Sequence, residues 1–368
     1  MNQSVIEKKE DIIAYLKENN IKKILFVCGN SFKKTKMYKE LDSKLKNDEI
    51  DVFYFSEYTA NPQYDSVVNG VKYFKENLCE GIIVAGGGSA IDVAKCIKLF
   101  SNMDTNINYL KQSIVPNDIK LLAIPTTAGT GSESTKYSVI YYDGEKQSIT
   151  HESSIPEVVL FEPDLLKSLP EYVRKTTMLD ALCHAIESFW SVNSNEESKS
   201  YSRKAINMIM ENMDKYLQND DNANKKMLMA SNISGKAINI TQTTAGHAMC
   251  YKLTSLYGYA HGHAAALCLS KLFGFMYENM DRCDDIRGRK YLEEILMEVS
   301  SCLGGKNISE GIDIFSNILI KLGLDNKINR KDIEYLSESV NTVRLKNNPV
   351  KLYKEDIRNI YSRLCEET

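Results

Sequence analysis

The chain has 368 residues, 43% of them apolar and 26% charged, with a formal net charge of -3. That balance is ordinary for a globular protein of two domains with ample core, and with no basic block it excludes nucleic acid as the main partner. No window approaches the roughly 18 apolar residues of a membrane span, and the opening MNQSVIEKKEDII has no apolar signal core.

Val5 to Glu18 is amphipathic and charged and reads as a surface helix. Lys23–Cys28 (KILFVC) is a short β-rich run that ends at Gly29-Asn30-Ser31. Lys36–Lys46 reads as a helix, Asp51–Phe55 as a second strand and Ser66–Glu76 as a helix. Gly81–Ala85 (GIIVA) is an apolar strand, followed by Gly86-Gly87-Gly88 and a helix over Ser89–Leu99. Leu121–Pro125 is a further strand. Strands alternating with helices predict a doubly wound, mostly parallel sheet. Helices on both faces of such a sheet explain strands that are apolar throughout rather than alternating. After Tyr142 the pattern changes. Val158–Leu160 still reads as strand, but from Glu171 onward the runs are mainly helical. The boundary falls near Pro163, which divides an α/β domain over 1–162 from an all-helical domain over 163–368. Nine cysteines are scattered without a CxxC pair, which suits a reducing cytoplasm better than a disulfide framework or a zinc knuckle.

Three loops of the first half carry chemistry. In VAGGGSAIDVAK, three glycines directly after a strand let the backbone approach a ligand closely. Ser89 is placed to cap the next helix, with Asp92 three residues on in a capping-box position. The exposed amides at that helix start favour an anion such as a dinucleotide pyrophosphate. The string is not GxGxxG, and the structural alternative is a tight strand-to-helix turn tied by Asp92. PTTAGTGSEST follows a strand end, where ligands of open α/β sheets collect. It offers the hydroxyls of Thr126, Thr127, Thr130 and Ser132; the alternative is a surface loop. In CGNSFKKTKMY, Gly29, Asn30 and Ser31 stand where a dinucleotide fold often places an acidic side chain for the ribose. Lys33, Lys34 and Lys36 follow. With no carboxylate to repel a ribose phosphate, NADPH is expected over NADH, although a solvated basic turn has the same pattern.

The stretch from Met178 to Leu269 holds four of the five histidines. Asp180 and His184 are four apart, so both side chains leave one helical face. His247 sits near the start of an apolar helical run that Gly258 ends, and His261 opens the next. Three imidazoles and one carboxylate make a first shell for Fe(II) or Zn(II). His263, two residues past His261, points elsewhere on a helix, so only His261 is expected to ligate. Any one histidine alone reads as a hydrogen-bonded core residue. Cys183 and Cys250 are expected on other helical faces, as packing residues.

Taken together, GGGSAIDVAK, PTTAGTGSE, DALCHAIES and His247-x13-His261-Gly resemble the iron-containing (group III) alcohol dehydrogenase family, over nearly the whole chain. The resemblance implies an N-terminal dinucleotide domain, a C-terminal helical metal domain, a cleft between them and a homodimer. Its metal ligands map onto Asp180, His184, His247 and His261. Its nucleotide contacts map onto Gly87, Gly88, Ser89, Thr126, Thr127 and Ser132, with Lys146 near the phosphates, and residues 29–34 echo the first-strand loop of NADPH-using members. Many members carry a histidine four residues after the third ligand. Here that position is Tyr251, so Tyr251 or water replaces a histidine proton relay, and Tyr251 and His261 are the expected catalytic residues. HAMCYKLTSLYGYAHGHAAAL is nearest the phosphonoacetaldehyde reductase branch, with Lys252 and Arg344 as cations for a phosphonate. For either alone, a surface charge or an interhelical salt bridge is the plainer reading. Reduction of an uncharged short aldehyde, of the butanol or propanediol dehydrogenase type, is the alternative activity. A dehydroquinate-synthase-like lyase and a non-catalytic nucleotide-binding protein are the alternatives from other classes.

Overall fold

The apolar runs of the first half become a six-stranded sheet in which every neighbouring pair is parallel. The computed structural model describes residues 3–324, 326–340 and 342–365, without the side chains of Thr342 and Arg344. The chain forms two units, one of Met1–Thr127 with Gly131–Ser168, the other of Ala128–Thr130 with Leu169–Thr368.

In the first unit the elements are β1 (Ser4–Ile6), α1 (Glu10–Glu18), β2 (Lys23–Cys28), α2 (Asn30–Lys33), α3 (Lys36–Asn47) and β3 (Asp51–Phe55). They continue through α4 (Tyr64–Glu76), β4 (Gly81–Gly86), α5 (Gly88–Phe100), β5 (Lys120–Pro125), β6 (Tyr137–Tyr142), β7 (Glu145–Thr150) and β8 (Val158–Leu160). The sheet order is β1-β8-β5-β4-β2-β3. Ile24, Phe26, Ile83, Leu122 and Leu160 pack with Ile12, Leu16, Leu41 and Leu45 of α1 and α3 in one core. β3 joins one edge of β2, whereas β4, β5 and β8 are added on the other side. The winding therefore reverses between β2 and β4, and the space beyond their carboxyl ends is where open α/β sheets take ligands.

Two elements depart from the sequence reading. The stretch from Val5 is not helical throughout: Ser4–Ile6 is an edge strand paired with Val158–Leu160, and the helix starts at Glu10. Three residues are too few to show an alternation. The sequence reading also has no hairpin around Tyr142, where Glu145–Thr150 pairs antiparallel with Tyr137–Tyr142. Asp143 and Gly144, at φ 51° and 78°, make the tight turn that Asp-Gly favours.

The second unit is helical: α6 (Glu171–Trp190), α7 (Glu196–Leu217), α8 (Asp221–Thr241), α9 (Ala245–Tyr257), α10 (His261–Glu278), α11 (Arg289–Leu303), α12 (Ile308–Lys321), α13 (Ile333–Glu338), α14 (Thr342–Leu345) and α15 (Lys354–Cys365). α6 is buried at every position from Met178 to Trp190, as expected of a helix that is apolar nearly all round. Gly258, at φ 70°, ends α9 in the left-handed conformation that costs glycine least. Asn347 holds the turn before α9 by donating to Thr243 O at 3.2 Å, and Tyr361 of α15 donates to Met249 O at 2.7 Å.

Candidate metal centre and nucleotide turns

Asp180 and His184 lie one turn apart on α6, His247 is the third residue of α9, and His261 is the first residue of α10. The start of α10 reaches α6 because residue 262 is glycine. A Cβ there would stand 2.0 Å from Thr176 O and 2.7 Å from Asp180 Cβ. The structure brings the four side chains together. Ligand atoms of Asp180, His247 and His261 all lie within 4.8 Å of one another. His184 Nε2 is 4.0 Å and His247 Nε2 is 3.5 Å from Asp180 Oδ1, and the His184 and His247 rings stack at 4.5 Å.

Asp180, His184 and His247 are buried. Among the described residues, Asp180 Oδ1, His184 Nδ1 and His247 Nε2 find no hydrogen-bond partner. Buried polar atoms are rarely left so, and an ion is one of the few explanations. One carboxylate oxygen and three imidazole nitrogens are also a donor set that suits Fe(II) or Zn(II), so these residues fit a divalent cation. Burial alone would raise the Asp180 pKa, but the three imidazoles outweigh it and hold the carboxyl well below its usual range. Burial lowers His184 to about 4. On His247 burial acts downward too, yet the carboxylates of Glu187 and Asp180 prevail and hold it at about 9.

Glu187 is the residue that the sequence reading passed over. It is fully buried on α6, one turn beyond His184 on the same face. Its Oε1 accepts from Thr244 N (3.1 Å), Thr244 Oγ1 (2.8 Å) and His247 N (3.2 Å), and its Oε2 pairs with His247 Nδ1. Trp190 Nε1 donates to Thr244 Oγ1 at 3.1 Å and extends the chain. The spacing 180, 184, 187 was visible in DALCHAIES as one helical face; the partner helix was not.

Cys250 also differs from its expected place. Its Sγ lies 3.6 Å from His261 Nδ1, because α10 folds back onto the face of α9 that carries it. Cys183 is buried on α6. His263 points away from the cluster: its Nδ1 is 3.0 Å from Tyr172 Oη, which accepts from Ala260 N at 3.0 Å. Tyr251 stacks on His261 at 5.6 Å between centroids. The ammonium of Lys252 sits 4.7 Å over the Tyr335 ring, an interhelical contact of the plainer kind. The Arg344 side chain lies outside the described residues.

In the first unit, the glycine turns take the positions expected of them, but the capping does not. Gly87, not Ser89, is the N-cap of α5, and among the described residues no side chain caps that helix. Ser89 Oγ donates instead to Ala60 O, and Asp92 accepts from Ser132 Oγ (2.5 Å) and Val139 N (3.0 Å). Asp92 thus ties the GTGSE loop and the β6 strand to α5, aided by Lys95, whose Nζ donates to Ser132 O (2.9 Å) and Tyr137 O (2.6 Å). Thr126 N donates to Gly86 O at 3.0 Å, and a Cβ on Gly87 would meet Thr127 Oγ1 at 3.2 Å. Gly29 is the N-cap of α2, and Asn30 and Ser31 are exposed at its first turn. Lys146 is exposed on β7 and its charge reaches Asp92. Thr130 falls in the short segment that belongs to the helical unit, next to Gly129, whose backbone lies against Thr177.

Comparison with known proteins bears on this arrangement. A family model described as iron-containing alcohol dehydrogenase matches residues 5–163, and one described as Fe-containing alcohol dehydrogenase family, C-terminal, matches 175–365. The probable alcohol dehydrogenase EutG of Escherichia coli K12 is 34% identical over 59% of this chain and 56% of its own length. The phosphonoacetaldehyde reductase of Streptomyces viridochromogenes is 27% identical over 82% of this chain and 80% of its own. Among solved structures, an iron-containing alcohol dehydrogenase from Thermotoga maritima has a TM-score of 0.83 at 29% identity, covering 99% of this chain and 98% of that one.

Proposed function

The chain belongs to the iron-containing alcohol dehydrogenase family, NAD(P)-dependent oxidoreductases acting on CH–OH groups, and from that premise we propose that it is a metal-dependent, NADPH-linked aldehyde reductase whose substrate is phosphonoacetaldehyde, reduced to 2-hydroxyethylphosphonate. The observation that supports the reductase reading is the grouping of Asp180, His247 and His261, whose ligand atoms lie within 4.8 Å of one another, with His184 Nε2 4.0 Å from Asp180 Oδ1.

In this reading residues 1–162 hold the dinucleotide and 163–368 hold the metal. A divalent cation, Fe(II) or Zn(II), supplies Lewis-acid polarisation of the substrate carbonyl when bound. A nicotinamide held by the first unit would supply the hydride. Asp180 brings the one formal negative charge among the four ligands. Glu187 accepts from His247 Nδ1 and so keeps that nitrogen protonated, leaving Nε2 as the atom whose proton a cation would displace. Tyr251, stacked on His261, holds a phenolic proton beside the site and is the residue to deliver it to the product oxygen. The uncapped start of α5 and the glycines at 86–88 take the pyrophosphate. The turn at Gly29, Asn30 and Ser31 takes the adenosine ribose, with no carboxylate against a 2′-phosphate and Lys34 exposed behind it. That supports NADPH.

The phosphonate substrate draws on the similarity to the Streptomyces enzyme. The second reading, an uncharged short-chain aldehyde, draws on Lys252, whose charge is already placed over Tyr335. Steady-state kinetics with NADPH and NADH against phosphonoacetaldehyde and butanal separates them. A specificity constant at least tenfold higher for phosphonoacetaldehyde is expected, and equal values rule it out.

A further inference from the structure

Beyond the carboxyl ends of β2 and β4 a third piece of chain joins the two glycine turns, the segment between β3 and α4. It carries Tyr58. A Cβ built on Gly29 would stand 3.7 Å from Tyr58 Oη, and one built on Gly86 would stand 3.9 Å from the same atom. The hydroxyl therefore lies between the turn assigned to the adenosine ribose and the turn assigned to the pyrophosphate. It sits where the sheet order reverses, at the ligand crevice of this fold class.

Two further facts bear on it. The phenol is half-buried, yet among the described residues its hydroxyl has no hydrogen-bond partner. Burial raises its pKa, so it remains a protonated donor at any working pH. The segment is also held in place. Ser89 Oγ, freed from capping α5, donates to Ala60 O two residues further on. The first amides of α5 are left without a side-chain acceptor beside it. A donor aimed at the space between two anion-binding turns, on an anchored segment, has the chemistry to receive a phosphate or ribose oxygen.

We propose that Tyr58 binds the adenosine diphosphate half of the dinucleotide, donating its phenolic proton to an oxygen held between the Gly29 and Gly86 turns. This rests on the reading of those turns as the nucleotide site. The test is fluorescence titration of the metal-loaded enzyme and its Tyr58→Phe variant with NADPH and with ADP-ribose. Loss of one donor to a charged or polar oxygen weakens both about tenfold and alike, with the loss falling in KM for NADPH and no change in melting temperature. Unchanged dissociation constants in Y58F, with wild type binding normally, overturn the role of Tyr58 and leave the nucleotide site standing. A loss seen with NADPH but not with ADP-ribose overturns it too, because the contact then lies on the nicotinamide half. Failure of the wild type to bind either ligand overturns the nucleotide reading and the inference together.

Discussion

His247 is gripped from both sides of its ring: Nδ1 pairs with the Glu187 carboxylate while Nε2 stands 3.5 Å from Asp180 Oδ1. With Glu187 as acceptor one proton stays on Nδ1, and a cation bound beside Asp180 would displace the other from Nε2 and take its lone pair. Such carboxylate–imidazole pairs orient a ligand and raise its basicity.

Glu187→Gln keeps the volume but puts an NH2 among groups that all donate: Thr244 N, Thr244 Oγ1, His247 N and His247 Nδ1. One of these loses its acceptor, or the ring takes the other tautomer. Affinity for Fe(II) or Zn(II) falls about 10- to 100-fold, measured by competition with a chromogenic chelator. Unaltered affinity shows that Glu187 is packing alone.

Gly262→Ala tests how α10 delivers His261. Its new methyl would meet the backbone oxygen of Thr176 at 2.0 Å, so α10 must move away from α6. Overpacking of this kind costs about 1–3 kcal/mol. The variant melts lower and binds metal more weakly than wild type. A G262A protein with wild-type metal affinity contradicts the role of this close approach.

Much of this was legible in the sequence, for physical reasons that differ by residue. β2, β4 and β5 stand out because a parallel sheet covered on both faces needs unbroken apolar strands. β1 does not, since three edge residues precede a charged helix. The hairpin was signalled only by Asp143-Gly144. Histidine is scarce in this chain, so a concentration of it marks a site, and the two-residue step from His261 to His263 marks which ring turns away. Glu187 and Cys250 earn their contacts from helices distant in sequence. No spacing within α6 or α9 says that Thr244 will face one, or that His261 will face the other.

Lys95 makes stability depend on pH. Burial, against the pull of Asp92, lowers its pKa from 10.5 to about 8. The unfolded chain therefore binds this proton more tightly than the folded one. The resulting penalty is full below about 8, shrinks as pH rises through the window from 8 to 10.5, and is gone above it. Between pH 8 and 10.5 the urea midpoint of wild type should rise relative to that of Lys95→Met, which carries no such proton. Parallel profiles for the two proteins contradict this.

Tyr251 separates proton delivery from metal binding. Tyr251→Phe keeps the ring that stacks on His261 but removes the phenolic proton. The turnover number for aldehyde reduction drops about 10- to 100-fold, while metal content and KM for NADPH stay near wild type. Full turnover in Y251F assigns the proton to water.

The most direct test of the account is a calorimetric titration of chelator-stripped protein with Fe(II) under anaerobic conditions, run beside Asp180→Asn. The account predicts one ion bound per chain in wild type, with aldehyde-dependent NADPH oxidation appearing in step with occupancy, and both lost in D180N. Absence of stoichiometric binding in wild type, or equal binding and turnover in D180N, would contradict it.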